Sequence, residues 1–137
     1  MIVVQETESR GAGRLQTVVR KALGPVFRRM FDLTIVGIEN LPTDGPAIIA
    51  ANHTSVLDSF IVPSVLPRNI SYVGKAEYLD DWKTKHIFPA LGMIPIDRSG
   101  GDAAKAALDM AAAVLDGGGL FGIYPEGTRS RTGHLYK

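Results

Sequence analysis

The stretch Asn52-His-Thr-Ser-Val-Leu-Asp58 places a histidine and an aspartate five residues apart. That pair can act as a general base and the carboxylate that orients it. Five residues along one helix point to different faces. The pairing therefore needs His53 in a turn before the helix and Asp58 just inside it. A plainer reading uses the same residues: Ser55-Val-Leu-Asp58 spells a capping box, with Ser55 as N-cap and Asp58 at the third helical position. His53 is then a satisfied structural histidine. At this level both readings stand.

Two further stretches carry anion chemistry. Tyr124-Pro-Glu-Gly-Thr-Arg-Ser130 follows an apolar run that reads as a buried strand. In α/β sheets, ligands bind where strands end. Gly127 lets backbone approach an anion. Thr128 and Ser130 offer hydroxyls, and Arg129 offers a bidentate fork suited to phosphate. Gly92-Met-Ile-Pro-Ile-Asp-Arg98 repeats the pattern, with a strand-like run delivering an arginine to its end. The plain reading here is a surface loop with ordinary arginines. A base beside a phosphate pocket needs no nucleophilic side chain if the base deprotonates an alcohol of the substrate.

The elements that must position these residues follow from pattern. Residues 1–11 read as loose. Leu15, Val18, Val19, Ala22, Leu23, Val26, Phe27 and Met30 then recur at helical spacing, with Arg14, Arg20, Lys21, Arg28 and Arg29 on the other face. Gly24-Pro25 falls mid-helix and is expected to kink or split it. This amphipathic helix either docks its stripe on the core or lies on anionic lipid. Strands are expected at 33–38, 47–51, 70–74, 93–97 and 120–124, and helices at 55–62, 83–88 and 102–115. Asp102 is expected to cap the last helix, and Gly117 to Gly119 to stop it. Pro63 should end or bend the second helix, and Pro89 should interrupt the third. Alternation of strands and helices predicts an α/β fold with a mainly parallel sheet and flanking helices, preceded by the N-terminal amphipathic helix.

At 137 residues the chain is one domain's length. Net charge is +1, but six basic residues and no acidic one lie between Arg10 and Phe31. There is no cysteine, which excludes disulfides, thiolate nucleophiles and cysteine-type zinc sites. The first ten residues do not spell a signal peptide, and no run approaches the ~20 apolar residues that span a bilayer. Gly117-x-Gly119-x-x-Gly122 matches the dinucleotide fingerprint in spelling only, since it precedes a strand instead of following one. No G-x-S-x-G and no P-loop is present. His86 and His134 lack a neighbouring ligand set, so no metal is expected.

These motifs together resemble the glycerolipid acyltransferases, the PlsC-type 1-acylglycerol-3-phosphate acyltransferase family. Its block N-H-x-x-x-x-D matches Asn52, His53 and Asp58; G-x-x-x-I-x-R matches Gly92, Ile96 and Arg98; F/Y-P-E-G-T-R-S matches Tyr124 to Ser130. Three blocks in order make the resemblance specific. It covers roughly residue 30 to the end, which divides the chain into a tail and helical segment at 1–31 and an acyltransferase domain at 32–137. The resemblance implies that His53 takes the proton of the lysophosphatidate 2-hydroxyl as it attacks an acyl thioester, while Asp58 holds the imidazole. It implies that Arg98 and Arg129 bind the glycerol phosphate, that Gly127 and Thr128 support the loop, and that Glu126 orders the loop or an arginine. No cofactor is implied; acyl-CoA or acyl-carrier protein is a co-substrate. Phosphatidate is the implied product. Implied partners are the lysophospholipid, the acyl thioester, an anionic membrane surface and acyl carrier protein, with no nucleic acid. The implied location is peripheral, on the cytoplasmic side of the cell membrane. The family's fourth block, an apolar V-I-P-V-like run on a later strand, does not occur before Lys137, so the domain is expected to be C-terminally incomplete. The alternatives are an acyltransferase for another lysolipid or glycerol 3-phosphate, and a truncated, inactive membrane-binding relative.

Overall fold

The computed structural model describes residues 6–97 and 99–132, with side chains from residue 13 onward. Four strands form one sheet: β1 (Ala47–Ala50), β2 (Ile70–Lys75), β3 (Met93–Ile96) and β4 (Leu120–Ile123). All pairings are parallel, in the order β1-β4-β2-β3. Parallel neighbours need crossovers, and the helices supply them: α2 (Asp58–Val65), α3 (Ile87–Ala90) and α4 (Ala103–Asp116). A long helix, α1 (Glu6–Phe31), precedes the sheet. The α/β class with flanking helices is as the alternating pattern predicts. All four strands run the same way, so their C-terminal ends share one rim.

The sheet is covered on both sides. Tyr72, Phe88 and Met93 form a buried cluster, with Phe60 and Leu79 packed against it. The Phe60 and Phe88 rings lie 5.2 Å apart. On the other side α4 contacts β2, β3 and β4. Gly74 in β2 is there for room: a Cβ would meet the Met93 sulfur at 2.4 Å. Arg68 ties the turn before β1 to the end of α4, donating to the carbonyls of Pro42, Gly45 and Gly118.

Several elements depart from their predicted form. Residues 6–11, read as loose, belong to α1, and α1 runs unbroken through Pro25. The run at 33–38 pairs with no strand among the described residues; Val36 is 88% exposed and Ile38–Asn40 forms a 3-10 turn. β-rich composition makes a strand only where a partner edge exists. Pro63 sits buried inside α2 without ending it. A proline at 63 leaves the carbonyl of Ser59 without its helical donor, and the Tyr72 hydroxyl donates to that carbonyl at 3.1 Å. Regular helix in α3 begins only at Ile87, with Pro89 inside its short span, where a missing N–H costs little. Asp102 occupies the N-cap of α4, but its side chain makes no capping bond.

α1 docks through an unpredicted face. Its buried or half-buried positions include Gly13, Gln16, Thr17, Arg20 and Gly24, which recur at i, i+3, i+4, i+7 and i+11. Gln16 is buried and donates to Ile70 O at 2.7 Å and Leu91 O at 3.3 Å. Asn69 donates to Gly13 O and Thr17 Oγ1, and Arg20 to Leu66 O. At Gly24 a Cβ would lie 2.5 Å from Ser64 O, so α1 and α2 cross at that glycine. Leu15, Val18, Ala22, Val26 and Met30, five of the eight residues of the apolar stripe, are left exposed. No helix among the described residues is long and apolar enough to cross a membrane.

Candidate active site

β1 ends at Ala50, and Ala51 N–H still bonds Ile123 O at 3.0 Å before the chain leaves the sheet. His53 therefore emerges beside the end of β4. The chain then tightens through bonds from Asp58 N–H to Ser55 O, Ser59 N–H to Val56 O and Phe60 N–H to Leu57 O. Three-residue steps of this kind bring 53 and 58 together across the turn. His53 Nδ1 lies 3.0 Å from Asp58 Oδ2. The same oxygen accepts from the N–H groups of Thr54 at 2.8 Å and Ser55 at 2.9 Å. Ser55 Oγ in turn accepts from Leu57 N–H. Asp58 thus closes the turn that leads into α2 and orients the histidine at once. α2 begins at Asp58 with Leu57 in place of Ser55 at its N-cap, so of the expected capping box only the bond from Ser55 N–H to the Asp58 carboxylate is formed.

Partial burial by itself would raise the Asp58 pKa. The hydrogen bonds from Ser55 and Thr54 and the His53 side chain outweigh it and hold the carboxyl below the usual carboxylate range. With Asp58 ionised and accepting at Oδ2, Nδ1 carries the proton and Nε2 keeps its lone pair. That is the tautomer a general base requires.

The second wall is the loop after β4. Gly127 has φ +67, which favours glycine, and its N–H closes a turn on Tyr124 O at 3.0 Å. A Cβ there would meet nothing within 4 Å, so backbone conformation alone calls for glycine. Ser130 N–H bonds His53 O at 2.6 Å, which straps the loop to the histidine's own backbone. The Tyr124 ring stacks on the imidazole, with centroids 4.2 Å apart.

His53, Gly127, Thr128 and Arg129 line one cavity of ≈ 320 Å³. Its inner surface includes Tyr72, Phe88 and Met93. The cavity thus joins a histidine base to an arginine on one side and to apolar surface on the other. Asp58 stands behind His53 and is not part of the lining. Glu126 faces inward: both carboxylate oxygens are buried and accept no hydrogen bond among the described residues. It makes no hydrogen bond among the described residues through which it would order the loop or an arginine. Arg98 lies outside the described residues, as does His134; the strand that leads to Arg98 ends at Ile96, beside Lys75 of β2.

Lys75 is the residue the motifs do not mark. It lines the same cavity, at the end of β2. Strand order puts β2 between β4, which leads to Arg129, and β3, which leads to Arg98. A lysine at a strand end was the available signal, but its meaning depends on which strands are neighbours. Gly92, by contrast, serves packing. It has φ +93, and a Cβ would lie 2.0 Å from Ile70 O and 2.7 Å from Gln16 Nε2. It lets the turn before β3 close over α1. Among the described residues no group of three or more His, Asp or Glu is placed to hold a metal.

A parallel α/β sheet gathers a His–Asp pair, an arginine and a lysine at its strand ends, an arrangement able to activate a hydroxyl beside an anionic group. Comparison with known proteins supplies the family. Residues 32–137 match the Acyltransferase family model, and the chain belongs to that family. It is 32% identical over 108 residues to the 1-acyl-sn-glycerol-3-phosphate acyltransferase of Helicobacter pylori, covering 77% of this chain and 46% of that protein. It is 33% identical over 111 residues to the enzyme of the same name from Cocos nucifera, covering 75% and 33%. A chloroplastic 1-acyl-sn-glycerol-3-phosphate acyltransferase of Arabidopsis thaliana is 29% identical over 106 residues, covering 77% and 30%. The chain spans less than half the length of each of these relatives. No solved structure matches it.

Proposed function

We propose that this protein transfers an acyl group from a thioester, acyl-CoA or acyl-carrier protein, to the sn-2 hydroxyl of a 1-acylglycerol 3-phosphate, giving phosphatidate. The observation that carries the reading is the His53–Asp58 bond of 3.0 Å at the wall of a cavity that Arg129 also lines. His53 Nε2 accepts the hydroxyl proton as the acceptor oxygen attacks the thioester carbonyl. The C–O bond forms, the C–S bond breaks, and the imidazolium returns its proton to the departing thiolate. Asp58 stabilises the imidazolium meanwhile. Arg129 and Lys75 attract the acceptor phosphate, and Arg98, two residues after β3 in sequence, is proposed as a third cation. The apolar inner surface at Tyr72, Phe88 and Met93 takes acyl chain. The names of the relatives support this acceptor.

The same reading places the protein peripherally on the cytoplasmic side of the cell membrane. Leu15, Val18, Val26 and Met30 form an exposed apolar arc on α1. Arg14, Lys21 and Arg28 border it and are also exposed. An apolar face with a basic flank is what an interfacial helix presents to anionic lipid.

The test is thioester release with several acceptors: 1-acylglycerol 3-phosphate, glycerol 3-phosphate and a zwitterionic lysolipid. The first should be used best. Arg129→Ala and Lys75→Ala should each raise its KM about tenfold, the value of one charge-assisted phosphate contact. Lysine in place of Arg129 should restore little of it if the contact is bidentate. Release that is equal for phosphorylated and unphosphorylated acceptors would remove the phosphate assignment. Preference for glycerol 3-phosphate would move the reading to that acceptor.

A further inference from the structure

Tyr124 is the first residue after β4 and lies against His53. Its ring covers one face of the imidazole, with centroids 4.2 Å apart and planes 25° from parallel. Asp58 holds the edge of the same ring at Nδ1, and Ser130 N–H holds the His53 carbonyl. The imidazole is therefore gripped at an edge, at a face and through its backbone. Burial pushes the Tyr124 phenol up, and the Asp58 charge pushes it further, against a hydrogen bond with Ser59. The phenol is thus neutral at physiological pH, and its electron-rich face is what the imidazole meets.

We propose that Tyr124 is a positioning residue for His53: its stacked ring fixes the imidazole plane, and its π face favours the imidazolium that forms when Nε2 takes a proton. The proposal deepens the acyl-transfer reading and rests on it for its effect on turnover. A ring held only at Nδ1 can still rock about its χ2 torsion, which turns the ring plane and with it the direction of the Nε2 lone pair. The bond to Asp58 restrains that rotation at one edge atom only. A flat face 4.2 Å away opposes it directly. The second part of the role is electrostatic. A cation over a phenol face within about 6 Å of its centroid is stabilised by the ring quadrupole. That gain is realised only when the imidazole is charged, and so it acts on turnover more than on substrate binding.

The experiment uses the full chain with Tyr124→Leu, Tyr124→Met and Tyr124→Phe, the two apolar replacements guarding against a folding defect in either one. Two readouts are taken. Long-range 1H–15N NMR of the histidine rings, with His53→Ala as the blank, reports tautomer and ring orientation without any substrate. Wild type and Tyr124→Phe should show one Nδ1–H tautomer, with ring protons shifted upfield by the aromatic face. The Leu and Met variants should lose that shift and broaden. Thioester release should fall about tenfold in kcat in Leu and Met, with KM changed less than threefold, and Phe should restore it. A Leu or Met variant that keeps a single ring orientation would overturn the proposal, as would loss of the stack with kcat unchanged. NMR behaviour as expected in a protein that releases no thioester would retain the positioning role and overturn the acyl-transfer reading instead.

Discussion

Replacing Asp58 with asparagine separates the two tasks of this carboxylate. Asp58 Oδ2 accepts three donors: His53 Nδ1–H, Thr54 N–H and Ser55 N–H. An asparagine oxygen in the same place still serves the two backbone groups. Its amide nitrogen is only a donor. With the oxygen in the Oδ2 place, that oxygen also faces Nδ1 and the nitrogen takes the Oδ1 place, so the Nδ1–H tautomer is kept and what is lost is the negative charge that stabilises the imidazolium. Loss of that charge should lower kcat by roughly 10²-fold, or about 3 kcal/mol of activation free energy. Stability should change far less, by about 1 kcal/mol, since the cap survives and only its charge is lost. Asp58→Ala is the contrasting variant. It strands both N–H groups and should cost about 1–2 kcal/mol, a fall of roughly 4–8 °C for a domain of this size. Thioester release gives the rate, and thermal melting gives the stability. The pH dependence has a defined sign. The folded pKa of Asp58 is lowered, so the stability from its ionised form is complete above the ordinary value near about 3.9. That stability is lost as pH falls through the lower folded value. The melting difference between wild type and Asp58→Asn should therefore be constant from neutrality to about pH 5 and close at the acid end. If Asp58→Asn kept turnover within threefold of wild type while Asp58→Ala melted early, Asp58 would be a helix cap and nothing more.

Gly92→Ala should be among the most damaging single-methyl additions in the protein, because φ is +93 and the new Cβ would lie 2.0 Å from Ile70 O; a loss of about 3 kcal/mol or more is expected, read as a fall in Tm of roughly 10 °C or more. Gly127→Ala should cost only about 1–2 kcal/mol, since its φ of +67 is strained for alanine but the space around it is open; equal melting of the two variants would show that close packing at Gly92 is not the reason for glycine. Joint replacement of Val18, Val26 and Met30 by serine should lower co-sedimentation with anionic vesicles at least tenfold while leaving Tm within a few degrees, because all three side chains are more than half exposed. Undiminished sedimentation would assign the arc to something other than lipid.

The sequence alone marked the His–Asp pair and the loop after β4 and their places along the chain. The spacing of His53 and Asp58 demanded a turn followed by a helix, and that is the local structure found. Local rules suffice there because the bond spans five residues and one tight turn. The strand alternation likewise sufficed for the parallel sheet, since every crossover is helical. What tertiary structure decided depends on neighbours far apart in sequence. Lys75 gained meaning only when β2 was seated between β4 and β3. Tyr124 could be marked as a motif residue, but its stacking on His53 joins positions seventy-one residues apart, and no periodicity encodes that. The docking of α1 misled the pattern most. An apolar stripe normally marks the buried face, yet the buried contact here runs through Gly13, Gln16, Thr17, Arg20 and Gly24. Small residues let the helix come close, and the amides of Gln16 and Asn69 satisfy backbone groups at the crossing. Hydrophobicity is non-directional and leaves its trace in composition, whereas close approach and hydrogen bonding depend on geometry that exists only once the chain is folded.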